Sequence, residues 1–235
     1  MRTSVALSVA AAVFAGAAAA HAQQVIAYWR FPTAVPPSNT NFQITFPITA
    51  DAQFNPGPAT ITTDATVWDG TPSPPALGQG AFQYFTGSDI NAQDGDLAGS
   101  GLGIRNLTGN LTEDKSITFR FDTTGFQDII MSYAERTTST GPTQLLISVS
   151  GNGIDFTPAE TLTTTRDATF RLRTVDLSAF ADLNNNAAAY VRLTLDNITG
   201  SSGALRIDNV TFIPAPGAAA ALALFGLAAS RRRRA

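Results

Sequence analysis

From position 116 to 122 the chain alternates without a break: Ser116, Ile117, Thr118, Phe119, Arg120, Phe121, Asp122. A period of two marks a strand with one face buried. A helix would bring its apolar residues round every three or four positions instead. The same rhythm returns in Leu145, Ile147 and Val149, and in Val191, Leu193 and Leu195 with Arg192 outward. It returns again in Phe170, Leu172 and Thr174, with Arg171 and Arg173 read as outward. Val25–Phe31, Phe42–Phe46, Thr60–Trp68 and Ala81–Thr86 are shorter candidates, and Phe126–Thr137 puts Ile129, Met131 and Tyr133 on one face. A core rich in Thr, Ser, Asn and Gly favours strands and turns over helices.

Turn signals separate these runs. Asn55-Pro56-Gly57-Pro58 and Gly151-Asn152-Gly153 are turns, and Pro72, Pro74 and Pro75 keep 71–80 out of any ladder. Gly87–Gly103 reads as a long polar loop, and Ser178–Ala188 as a helical turn followed by a loop. In Ala204–Ile213, Leu205 and Ile207 share one phase while Val210 and Phe212 share the other. A slip of phase needs one extra residue, which predicts a β-bulge at Asp208-Asn209. Short strands with no amphipathic helices between them predict an all-β chain folded as an antiparallel β-sandwich of roughly ten strands, in jelly-roll form.

The two ends have a different character. Arg2, the apolar run Val5–Ala20 and the small-x-small triplet Ala20-His21-Ala22 form a secretory leader, predicted as a signal helix cut after Ala22. At the other end, Pro214-Ala215-Pro216 precedes the apolar run Ala218–Ala229 and then Arg231, Arg232, Arg233 and Arg234. That run is 12 residues, short against the roughly 20 that a bilayer core requires. The arginines would hold the terminus on the cytoplasmic side. One reading is a plain C-terminal membrane anchor built on a short hydrophobic helix. The other comes from likeness: the three-part layout resembles the sorting tail of bacterial PEP-CTERM proteins, with Ala215 where that family usually has Glu. The resemblance implies export by signal peptidase and the Sec machinery, a transient stay at the inner membrane, and handling by an exosortase-type enzyme. The expected organisation is a leader over 1–22, a sandwich over 23–213 and a sorting segment over 214–235.

Removing both ends leaves ten basic residues against 18 acidic, a net charge of −8. Such a body is a poor partner for nucleic acid. The chain has no cysteine, so no disulfide staples it. Its one histidine, His21, lies in the leader. The mature chain therefore lacks Ser-His-Asp and Cys-His nucleophiles and the usual zinc ligands.

The remaining candidates are few. Asp89, Asn91, Asp94 and Asp96 crowd one loop as hard-cation ligands for a structural calcium, although the spacing is not that of an EF-hand. Their alternative is a solvated loop. Asp208, re-aimed by the bulge, is either an ion ligand or a partner for nearby backbone. Trp29, Trp68, Tyr84 and Tyr190 are candidates to stack on the rings of an extracellular polysaccharide, or are core residues. A carboxylate glycosidase would need two of Glu113, Glu135 and Glu160 about one bond, and Glu135→Gln would test it.

The segments Gly151–Phe156, Val175–Ser178, Tyr190–Leu193 and Arg206–Val210 resemble secreted bacterial jelly rolls of the galactose-binding or concanavalin-like kind. That likeness implies sugar binding, adhesion or scaffolding. The expected function is an exported, non-catalytic surface or matrix protein, with a carbohydrate-binding module as the alternative.

Overall fold

The computed structural model describes residues 24–31, 44, 46–51, 58–64, 82–105, 115–200 and 203–215. They form two antiparallel sheets packed face to face. The first holds β1 (Ala27–Trp29), β4 (Phe82–Thr86), β5 (Ser100–Arg105), β7 (Ile129–Thr137), β10 (Arg171–Asp176) and β12 (Ala204–Pro214), in the order β10-β7-β12-β5-β4 with β1 added to β12. The second holds β2 (Ile48–Thr49), β3 (Thr60–Thr63), β6 (Ser116–Phe121), β8 (Pro142–Ser150), β9 (Thr157–Thr163) and β11 (Ala189–Ile198), in the order β2-β3-β6-β11-β8-β9. One turn of 3-10 helix, Ala181–Leu183, buries Leu183 between β11 and β8.

The alternation in β6 does what period two requires. Ile117, Phe119 and Phe121 are fully buried, and their neighbours are half-exposed. They meet the first sheet through aromatic contacts. Phe121 stacks on Phe212 at 4.0 Å, and Trp29 meets Phe119 edge-on at 5.4 Å. Truncating any one of these rings to Ala should cost about 3–5 kcal/mol. With no disulfide, this interface is the main source of cohesion.

β12 is the spine of the first sheet. β7 flanks it along its length. On its other side β5 pairs with Ala204–Ile207, and β1 with Val210–Phe212. The expected bulge falls where the partner changes. The register against β7 shifts between Asp208 and Thr211, leaving Asn209 and Val210 together opposite Tyr133, with Asn209 at φ 49°. One extra residue lets Ile207 and Val210 both face the core while Asp208 and Thr211 face outward.

Three expectations need correction. The segment Gly87–Gly103 is not loop throughout, because Ser100–Arg105 is β5. Its glycines discouraged a strand reading, yet they permit close approach: a Cβ on Gly101 would lie 2.9 Å from Ile207 O. The alternation at Phe42–Phe46 does not make a strand through Ile44 and Phe46. Both pack against the core from outside the ladders, and pairing starts at Ile48, just past the cis Phe46–Pro47 bond. The phase of β10 is reversed. Leu172 is 54% exposed, while Arg173 lies in register with the buried Tyr133 and faces inward. The strand candidate Thr60–Trp68 ends at Thr63, and its last four residues lie outside the described residues.

Among the described residues no helix is long and apolar enough to cross a membrane. The leader and the apolar tail lie outside them, as do Ala20, Ala22, Pro216 and Arg231–Arg234. Pro214 is the last residue of β12, paired with Ile129, and Ala215 N–H donates to Asp128 O at 2.6 Å. The sheet therefore runs one residue, Pro214, into the segment assigned to sorting, and Ala215 is tied to its edge.

Candidate functional site

The bulge organises a buried polar cluster on the outer face of the first sheet. Asp208 is 1% exposed. Its Oδ2 accepts from Ser88 N at 2.7 Å and its Oδ1 from Asn209 N at 2.9 Å. Burial pushes its carboxyl up to about 7, against the pull of those two N–H donors. Asn209 donates from Nδ2 to Ser88 O and Ile90 O at 2.7 and 2.9 Å, and its Oδ1 accepts from the Tyr28 hydroxyl at 2.8 Å. Asn91 reaches back to donate to Asn209 O and Thr211 Oγ1, and accepts from Ser132 Oγ. The loop 87–99 is thus laid over the bulge and fastened from both sides. Gly87 sits so close that a Cβ there would overlap Asp208 Oδ2.

This arrangement decides the role of the loop carboxylates. Asn91 and Asp208 are committed to the brace. Asp96 accepts from Arg30 Nη1 at 3.3 Å, and Asp89 and Asp94 are exposed. Among the described residues no three His, Cys, Asp or Glu side chains gather to hold an ion, and Asp208 accepts from two backbone donors. Residue types alone could not reveal this, because the partners are main-chain groups about 120 positions away.

A second polar cluster lies inside, near the edges β10 and β9. Glu135 is 3% exposed and Tyr133 fully buried. Arg173 Nη2 donates to Glu135 Oε1 and to Thr163 O of β9, both at 3.0 Å, tying the edges of the two sheets together. Burial raises the Glu135 carboxyl, while Arg173 opposes the rise. Burial, then the Glu135 charge, holds the Tyr133 hydroxyl well above its usual value. Glu160 lies exposed on β9, and Glu113 is outside the described residues. The sequence hides this pair because the alternation of β10 puts Arg173 outward, whereas it lies opposite the buried Tyr133.

The aromatic candidates divide. Trp29 is 1% exposed and donates Nε1 to Ile48 O, so it is a core residue and cannot present its face to a sugar. Tyr190 is half-buried, and its ring lies against Gly153, which has φ 74° and could not carry a Cβ there. Trp68 lies outside the described residues. Tyr84 is half-buried and lines a cleft of about 340 Å³ with Trp29, Phe31, Arg30, Asp51 and Thr49. Arg30 Nε pairs with Asp51 at 2.6 Å, and Phe31 holds φ 55°. A bulky residue in that region is an outlier of the kind that gathers at binding sites.

No family model and no curated protein matches the chain. Among solved structures it is similar to the K3 cleaved adhesin domain of Lys-gingipain from Porphyromonas gingivalis W83, at 12% identity and a TM-score of 0.42, over 66% of this chain and 91% of that one. It is similar to the K2 cleaved adhesin domain of Lys-gingipain at 15% identity and 0.41, over 66% and 88%. It is also similar to TmCBM61, solved in complex with β-1,4-galactotriose, at 11% identity and 0.34, over 67% and 88%. At this level of likeness the chain's own residues decide its reading.

Proposed function

We propose that the chain is an exported, non-catalytic surface or matrix protein: a β-sandwich of jelly-roll form carried between a cleaved leader and a PEP-CTERM-like sorting tail. The observation that carries the non-catalytic part is the commitment of the buried carboxylates. Asp208 braces a loop and Glu135 pairs with Arg173, so each buried carboxylate is already engaged by the fold. The mature chain also has no histidine to act as a base. Export rests on the sequence of the two ends. Fractionating cells that make the full chain or a form lacking 216–235 tests it. The tail-less form should appear in the medium or stall during export. Unchanged envelope association would refute the sorting role.

A carbohydrate-binding module is the second reading, favoured by the cleft at Tyr84. A glycan array should then show a neutral ligand that Tyr84→Ala loses. An array without hits removes this reading and leaves the first in place.

A further inference from the structure

The turn between β8 and β9 holds the chain's one Asn-Gly pair, Asn152-Gly153. Such a pair carries a latent reaction, because glycine leaves the backbone nitrogen after the asparagine unshielded. That nitrogen can lose its proton and attack the asparagine Cγ. The Cγ–Nδ2 bond then breaks, ammonia leaves, and a cyclic imide remains. Water opens the imide at either carbonyl, giving aspartate or isoaspartate. The net change replaces the side-chain –NH2 by –OH, and water is the only co-reactant.

The fold needs both residues. Gly153 holds φ 74°, and a Cβ there would lie 2.8 Å from the Tyr190 ring. Asn152 Oδ1 accepts from Ser150 Oγ, Ile154 N and Asp155 N at 2.9, 2.8 and 2.9 Å, and its Nδ2 donates to Asp155 Oδ2 at 3.0 Å. The same contacts oppose the reaction. Gly153 N–H points at Ser150 Oγ, 2.9 Å away. The electron pair left by deprotonation would therefore be aimed at that oxygen and not at Asn152 Cγ. Ser150 is 2% exposed and also accepts from Asn152 N. Asn186 Nδ2 fixes the start of the turn by donating to Gly151 O at 3.0 Å. Turning the Asn152 amide toward Gly153 N would break all four of its side-chain bonds.

We infer that Asn152 is a deamidation site held inactive by the folded turn and released when that turn opens. Its rate is then the unfolded rate multiplied by the fraction of time the turn is open. The change is also one-way. Isoaspartate adds a methylene to the main chain, and either product replaces the Nδ2 donor by a carboxylate facing Asp155. A reacted turn is therefore weaker than the one that opened, and holds Gly153 less firmly against Tyr190. The chain has no disulfide to keep this hairpin shut, so the hydrogen bonds of the turn are its own safeguard. This chemistry is independent of export and of any ligand.

The test is peptide mapping by mass spectrometry of the purified chain kept at pH 8, both native and unfolded in urea. In urea Asn152 should convert ahead of every other asparagine, with isoaspartate among the products. In the native chain its conversion should be at least tenfold slower, and should rise with urea below the unfolding midpoint. Ser150→Ala removes the acceptor of the Gly153 N–H. It should speed native conversion severalfold and leave the rate in urea unchanged. Asn152→Asp should abolish the mass change in that peptide. A native rate equal to the urea rate would overturn the gating, as would a native rate unmoved by Ser150→Ala in a folded variant. The urea series of the unaltered chain needs no variant, and a rate flat below the midpoint would refute the gating by itself. Conversion in urea mainly at another asparagine would overturn the site.

Discussion

Replacing Asn209 by Ala is the most direct way to ask whether the bulge fastens the loop. The substitution removes two donors, to Ser88 O and Ile90 O, and the acceptor of the Tyr28 hydroxyl. Each buried polar group left without a partner costs about 1–3 kcal/mol. Ser88 is 8% exposed, but the loop beyond it is open enough for water to recover part of that. The three losses should therefore sum to about 3–5 kcal/mol. Holding φ 49° adds about 1 kcal/mol for Ala, which Asn tolerates and Gly does not feel. Asn209→Gly should consequently be the milder variant by about 1 kcal/mol, although it loses the same side-chain bonds. Tyr28→Phe removes the bond to Asn209 and the acceptor of the Gln93 N–H at 3.4 Å, and should cost about 1–2 kcal/mol. The assay is urea unfolding of the mature chain followed by tryptophan fluorescence. Trp29 is in register with Val210, one residue past the bulge, and is a local reporter. A loss below 1 kcal/mol for Asn209→Ala, or a Gly variant less stable than the Ala variant, would refute the brace.

Other outcomes follow from the same geometry. Gly87→Ala should destabilise by about 2–4 kcal/mol, measured as a lower urea midpoint, because the added methyl overlaps Asp208 Oδ2 and comes 2.9 Å from Ser100 C. Asp208 has its carboxyl raised from 3.8 to about 7, so the folded chain holds that proton more tightly than the unfolded one. Its contribution is complete below pH 3.8 and is lost as pH rises through about 7, a swing of about 4 kcal/mol. Wild type should lose more stability between pH 4 and 8 than Asp208→Asn; equal pH slopes would contradict this. Arg173→Met should cost about 3 kcal/mol at pH 8 by leaving the buried Glu135 charge alone, and less as pH is lowered, since burial favours that carboxyl's protonated form. Thermal melts across a pH series read the difference.

What the sequence disclosed was what period two controls. β6, β8 and β11 alternate strictly, and their apolar positions are the second sheet's inner face. The bulge was visible for the same reason, since a slip in phase cannot hide in an otherwise regular strand. β5 was hidden by its glycines, whose value lies in the space they leave for Ile207 and Asp208. β10 misled because the inward place opposite Tyr133 holds an arginine, needed by Glu135 on the neighbouring strand, while a leucine points to solvent. Hydrophobicity ranks side chains by their own chemistry. An edge position beside a buried carboxylate is filled according to its neighbour.

The same limit explains why the loop reads equally as a cation site and as a solvated segment. Asp89, Asn91, Asp94 and Asp96 within eight positions look like a ligand set, yet their local density says nothing about where they point. In the folded chain the bulge turns Asp208 outward and gives it two backbone donors before any cation could claim it. Arg206, two residues earlier on the same side, lies over the Phe85 ring at 4.0 Å instead. The face over the bulge satisfies its polar groups internally, through donors and acceptors that the chain itself brings there, and its part is structural.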